Sequence, residues 1–149
     1  LAPDWSEPSI ALYGTLLVAG KLDDAEAVAR KLLENNPNAV EITAALGDQL
    51  ALAGRAEEAL ELRLKELAAN PLDQFVRSRA ATAHVAVARR HMMAGDLAAA
   101  TAALDAGADL ESDAPAAYLA IRSTIARKAK RIAEADALAD RARALPERR

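Results

Sequence analysis

Apolar residues recur along this chain at every third or fourth position, and small turn residues interrupt them at regular intervals. Between Asn38 and Pro71, Ile42, Leu46, Leu50 and Ala53 form one apolar stripe, Gly54 breaks it, and Ala59, Leu60, Leu64 and Leu67 form a second. The pattern predicts helix, turn, helix. Asn38 is placed to cap the first helix with Glu41 reaching back, and Asp4 with Glu7 repeats that capping box earlier in the chain. Gly54 is expected to end the helix in a left-handed conformation. Glu57 and Glu58 then fall in the first turn of the next helix, where its dipole favours acids, and Asn70–Pro71 stops it. Gly47 is expected opposite Ala59, because two helices that cross closely need small residues at the contact.

The same pattern returns every 34 residues. Pro3, Pro37 and Pro71 share this spacing, as do the pairs Leu12/Leu46, Leu16/Leu50, Gly20/Gly54, Ala25/Ala59 and Leu33/Leu67; residues 3–36 laid on 37–70 give 11 identities without a gap. A third unit places His84, Val87, Ala88 and His91 before Gly95 and Ala100, and its first helix, about Leu72 to Ala94, is lengthened by roughly two turns. A fourth places Tyr118, Ile121, Arg122 and Ile125 before Ala135, with Lys130 or Arg131 where the turn glycine would be. The stretches from Ala45 to Pro71 and from Tyr13 to Pro37 resemble the tetratricopeptide repeat (TPR) family, whose unit has the same length and a Gly-x-x-x-x-Ala turn and closing Pro.

That resemblance implies an all-α fold, a right-handed α-solenoid of about eight helices in antiparallel pairs. The expected organisation is one domain with repeats at about 4–37, 38–71, 72–113 and 114–149. Tyr13 stands at the first repeat's small-residue position, so that crossing is expected to be looser or shifted toward Gly14. The last helix, about Ile132 to Leu145, is expected to bury Ile132, Ala135, Leu138, Ala142 and Leu145 and to act as a polar cap. Leu1-Ala2-Pro3 falls in register with Ala69-Asn70-Pro71, the end of a repeat, which predicts that the chain is a piece of a longer protein.

Composition supports helix. The chain is 52% hydrophobic but only 3% aromatic, and 40 of its 149 residues are alanine. Without cysteine there is no disulfide, zinc–thiolate cluster or thiol nucleophile. No apolar run reaches the roughly 20 residues of a membrane span, so a soluble cytoplasmic or periplasmic protein is expected. The alanine and arginine richness points to a high-GC bacterial coding sequence. Residues 1–72 carry a net charge of −6 and residues 73–149 one of +3, an asymmetry too weak to imply nucleic-acid binding.

No phosphate loop, dinucleotide fingerprint, nucleophile elbow or metalloprotease motif is present, and no cofactor or metal is expected. His84 and His91 lie seven residues apart on one helix, about 10 Å, too far to chelate one ion. Both are expected to be buried in packing, with a pH or metal role as the alternative. The acidic stretch 104–113 lacks calcium-loop spacing and reads as a solvated connector. Asp23–Asp24 and Glu57–Glu58 read as helix-start charges, and Arg127, Lys128, Lys130 and Arg131 as a solvated turn, an anion site being the alternative.

The resemblance implies a concave groove lined by the first helix of each repeat. Its positions fall on Ile10, Gly14, Leu17 and Val18; Ala44, Asp48, Ala51 and Leu52; Val85, Arg89, Met92 and Met93; and Arg127. The carboxylate clamp by which some family members hold a chaperone tail is missing, because Ile10, Gly14 and Ala45 replace its polar residues. What is left suits an apolar or amphipathic helix, with the methionines adaptable and Arg89 and Arg127 pairing with an acidic group. The competing reading has Met92 packed into its own helix and the arginines solvated. The expected function is a non-catalytic protein-binding scaffold, with no nucleic acid or membrane partner. Alternatives are a regulatory or substrate-presenting appendage of an enzyme whose catalytic domain lies elsewhere, and self-association.

Overall fold

The structure, a computed structural model, describes the backbone of residues 6–146 and side chains from Pro8 onward. The Asp4–Glu7 capping box and the register of Leu1-Ala2-Pro3 fall outside what is described. Every regular element among the described residues is helical, and the chain divides into two compact units, Leu1–Ala69 and Asn70–Arg149. The division falls where Asn70–Pro71 closes the second repeat. No described helix is long and apolar enough to cross a membrane.

The first unit holds two hairpins, α1 (Ser6–Val18) with α2 (Leu22–Asn35) and α3 (Val40–Leu52) with α4 (Ala56–Ala69). Tyr13, Ala25, Ala29, Leu32, Ile42, Leu46, Leu50, Ala59 and Leu62 form its core. The second unit holds α5 (Gln74–Met93), α6 (Leu97–Ala106), a 3-10 helix (Ala108–Asp113), α7 (Pro115–Lys128) and α8 (Ile132–Arg143). α5 has 20 residues against 13 in α1 and α3, as its longer spacing predicts. Asp73 caps it by accepting from the Phe75 and Val76 amides.

All four hairpins turn in the same way. The amides of Lys21, Arg55, Asp96 and Arg131 donate to the carbonyls of Leu16, Leu50, His91 and Ala126, closing the helix end in the Schellman pattern. The residue before each amide adopts a positive φ: Gly20 at 70°, Gly54 at 76°, Gly95 at 88° and Lys130 at 61°. Lys130 therefore fills the glycine position at a backbone cost of roughly 1–2 kcal/mol. This fixes the fourth repeat one residue later than the sequence pattern suggested, with Leu119, Ser123 and Ala126 in place of Tyr118, Arg122 and Ile125. Five residues past each turning residue, Ala25, Ala59, Ala100 and Ala135 are all buried, a small side chain at the same close-packed position in every hairpin.

Several local expectations are corrected. α3 is capped by Ala39, without a side-chain bond, while Asn38 donates its amide to Asn36 Oδ1, so Asn38 and Glu41 form no capping box. Ala53 is exposed, and the buried face of α4 is Ala56, Ala59, Leu62, Arg63 and Glu66, whereas Leu64 is exposed and Leu60 and Leu67 are half-buried. Gly47 makes room for the Arg63 guanidinium, whose carbon would lie 3.0 Å from an added Cβ. Tyr13 is buried and Gly14 would meet nothing with a Cβ, so the first crossing does not shift toward Gly14. In α8 only Ala135 is buried; Ile132 is exposed and Leu138 and Ala142 are half-buried. The acidic stretch is not merely solvated: Leu110 is buried, Asp113 pairs with Arg77 at 2.9 Å, and Glu111 pairs with Arg122 at 3.6 Å.

Candidate functional site

The first helices carry two kinds of side chain, those that fill each unit's core and those left in water. In the first unit, Ile10, Gly14, Val18, Asp48, Ala51 and Leu52 are exposed, and Leu17 and Ala44 are half-buried. Tyr13 ties the two first helices together: its hydroxyl donates to Gln49 Oε1 at 3.4 Å, while Gln49 Nε2 donates to the Leu22 carbonyl at 2.7 Å. Burial, and behind it the Asp48 charge, pushes the Tyr13 phenol up. Asp48 accepts from the buried Arg63 guanidinium and so is fixed on the exposed face.

In the second unit the expected set splits. Arg89 and Met93 are exposed, but Val85 and Met92 are buried in the core. Arg127 is exposed and donates to Asp136 Oδ1 at 2.8 Å.

The exposed positions share a register. Val18, Leu52 and Met93 each stand two residues before a left-handed glycine and are 92%, 90% and 78% exposed. Large apolar side chains at the same repeat position in three hairpins are thus left almost fully in water. Lys128 holds that position in the fourth.

On the second helices of the first unit and the turn before α4, Glu26, Arg30, Arg55 and Glu58 form an ionic lattice. Arg55 contacts Glu26 and Glu58 at 2.6 Å each, and Arg30 contacts them at 2.7 and 2.9 Å. Burial pushes the Glu26 carboxyl up, but hydrogen bonds from Arg30 and Arg55 outweigh it and hold it below its ordinary range. The bond from Arg55 holds Glu58 low as well. The lattice is satisfied within itself and joins α2 to α4.

His84 is buried, and its Nδ1 lies 3.1 Å from the Ala103 carbonyl. His91 is only half-buried, contrary to the expectation that both rings pack inside. Burial pushes the His84 imidazole below its ordinary 6.5, against opposing contributions from Ala103 and Asp109. The folded chain therefore holds this proton less tightly than the unfolded one. Stability is full above pH 6.5 and declines as pH falls through that value, by at most about 1.4 kcal/mol per pH unit. Urea titrations at stepped pH should show this slope in the wild type and lose it in His84→Gln; an equal slope in both would refute the assignment. No group of three or more candidate metal ligands occurs among the described residues.

No family model and no curated protein matches the chain. Solved structures do. A MamA AMB-1 structure aligns with a TM-score of 0.61 at 19% identity, covering 92% of this chain and 70% of that one. A MamA RS-1 ArsTM double mutant gives 0.59 at 18%, covering 94% and 74%. MamA residues 41 to the end from Desulfovibrio magneticus RS-1 gives 0.58 at 18%, covering 92% and 73%. The repeated Schellman turns, the buried alanine five residues after each, and this structural likeness agree: the chain has a TPR-like helical-repeat fold.

Proposed function

We propose that this chain is a non-catalytic protein-interaction module that binds a peptide or helix through exposed side chains of its first helices. The observation that carries the reading is the recurrence of Val18, Leu52 and Met93, apolar side chains left in water at one repeat position. The helical-repeat fold shared with the MamA structures supports the same reading.

The contact residues are Ile10, Gly14, Leu17, Asp48 and Leu52 in the first unit and Arg89, Met93 and Arg127 in the second. Gly14 leaves open space beside Ile10, which lets a ligand backbone approach α1. Leu52 and Met93 supply apolar area, and Arg89 and Arg127 supply guanidinium groups for acids on the ligand. A synthetic amphipathic helical peptide with a leucine face and glutamates tests this by calorimetry. Leu52→Glu should weaken its binding by about ten-fold or more, and charge reversal of both Arg89 and Arg127 should abolish it with helicity unchanged. Unaltered affinity in both variants would refute the proposal.

A further inference from the structure

The α7–α8 turn departs from the other three in a way that local structure does not favour. Where the earlier hairpins place Leu17-Val18, Ala51-Leu52 and Met92-Met93, this one places Arg127-Lys128, and where they place glycine it places Lys130. Cations in the last turn of α7 suit the helix dipole, which accounts for Arg127 and Lys128 alone. It does not account for Lys130, whose φ of 61° is one that L side chains resist. Arg131 has basic counterparts in Lys21 and Arg55 and adds to the charge without being distinctive. Arg127 and Arg131 are paired with Asp136 and Glu134, while Lys128 and Lys130 are exposed and have no ion pair among the described residues. A strained backbone position occupied by a charged side chain in open solvent is a place where something other than folding selects the residue.

We propose that the α7–α8 turn is a docking point for an acidic peptide segment, with Lys128 and Lys130 as its principal contacts and Arg127 beside them. This deepens the interaction-module reading and rests on it: the acidic part of the ligand is taken up here. Charge complementarity selects a carboxylate-rich peptide, and the patch is one turn wide, smaller than the basic face a nucleic acid requires.

Lys130→Gly separates the two roles of this residue. It restores the turn's preferred residue, so the melting temperature rises by a few degrees, while affinity for a fluorescein-labelled octaglutamate peptide at low salt falls about three-fold or more. Arg141→Ala, an exposed charge loss elsewhere on α8, should leave that affinity unchanged. The proposal is overturned if Lys130→Gly binds like the wild type, if it loses no more than Arg141→Ala, or if its stability does not rise. Tighter, Lys130-dependent binding of a single-stranded oligonucleotide or of phosphatidylserine vesicles also overturns it, by assigning the turn to phosphate. Octaglutamate has no apolar face, so failure of the amphipathic-peptide experiment and failure here are read from different ligands and are told apart.

Discussion

Gly107→Ala is expected to destabilise the second unit by about 2–4 kcal/mol, although it adds a single methyl group at a backbone conformation any residue adopts. The added Cβ would lie 2.6 Å from two ring atoms of His84 and closer still to the Tyr118 hydroxyl. Neither neighbour is free to give way. Tyr118 is fully buried and its hydroxyl donates to the Gly107 carbonyl at 2.8 Å, and His84 is held by Ala103. Burial, with the nearby Glu111 and Asp109 charges, pushes the Tyr118 phenol up to about 12. The phenol therefore stays a neutral donor across the accessible range. Four elements converge on this glycine: α5 brings His84, α6 brings Ala103, the 3-10 helix begins beside it, and α7 brings Tyr118. Urea denaturation followed by circular dichroism measures the loss. Tyr118→Phe alone should cost about 1 kcal/mol for the lost hydrogen bond. In the Gly107→Ala background it should cost less or even stabilise, because it removes the atom in the way. Strict additivity, or a Gly107→Ala effect within 0.5 kcal/mol (roughly the scatter of surface substitutions), would show that the junction is slack.

The repeat architecture was legible in the sequence because each element of it leaves a period. Gly20, Gly54 and Gly95 announce the left-handed turns, and Ala25, Ala59, Ala100 and Ala135 announce a buried small-residue position in each hairpin. Lys130 could be placed only to within one residue, since a lysine in the left-handed region gives no compositional sign. What the pattern did not reveal is which half of a hydrophobic helix meets its neighbours. Val85 and Met92 sit at the repeat positions expected to line the groove, yet both are buried. Leu64 and Ile132 are apolar and exposed, while Arg63 and Glu66 are charged and buried, an inversion that hydrophobicity alone misassigns. Gly107 carried no periodic signal; it is a glycine outside the repeat turns, needed for space rather than for conformation.

One signal was present in the 34-residue alignment. Tyr13 aligns with Gly47, and Ala29 aligns with Arg63, both exchanges of large for small at buried positions. The two repeats solve one crossing in opposite ways: the bulk comes from the first helix in one hairpin and from the second helix in the other.

Arg63 is accordingly the residue of the first unit whose loss should be felt most. Its guanidinium lies over Gly47, donates to the Ala44 carbonyl at 3.0 Å and to Glu66 Oε2 at 2.9 Å, and also holds Asp48. The side chains of Arg63 and Glu66 are 5% and 4% exposed, so the pair is desolvated. Arg63→Ala removes the cation beside a buried carboxylate and vacates the space over Gly47. The expected loss is about 3–5 kcal/mol, the range for breaking a buried pair from one side. Replacing both partners, Arg63→Met with Glu66→Leu, should return stability to within about 1 kcal/mol of the wild type, since burying the ions offsets most of their attraction. Gly47 supplies a second test of the same geometry. In the wild type Gly47→Leu overpacks against the guanidinium and should cost about 1–3 kcal/mol. In an Arg63→Ala background the leucine enters vacated space and should stabilise instead. A Gly47→Leu effect of the same sign and size in both backgrounds would mean that the crossing is not filled by Arg63, and the exchange of bulk between the two hairpins would lose its basis.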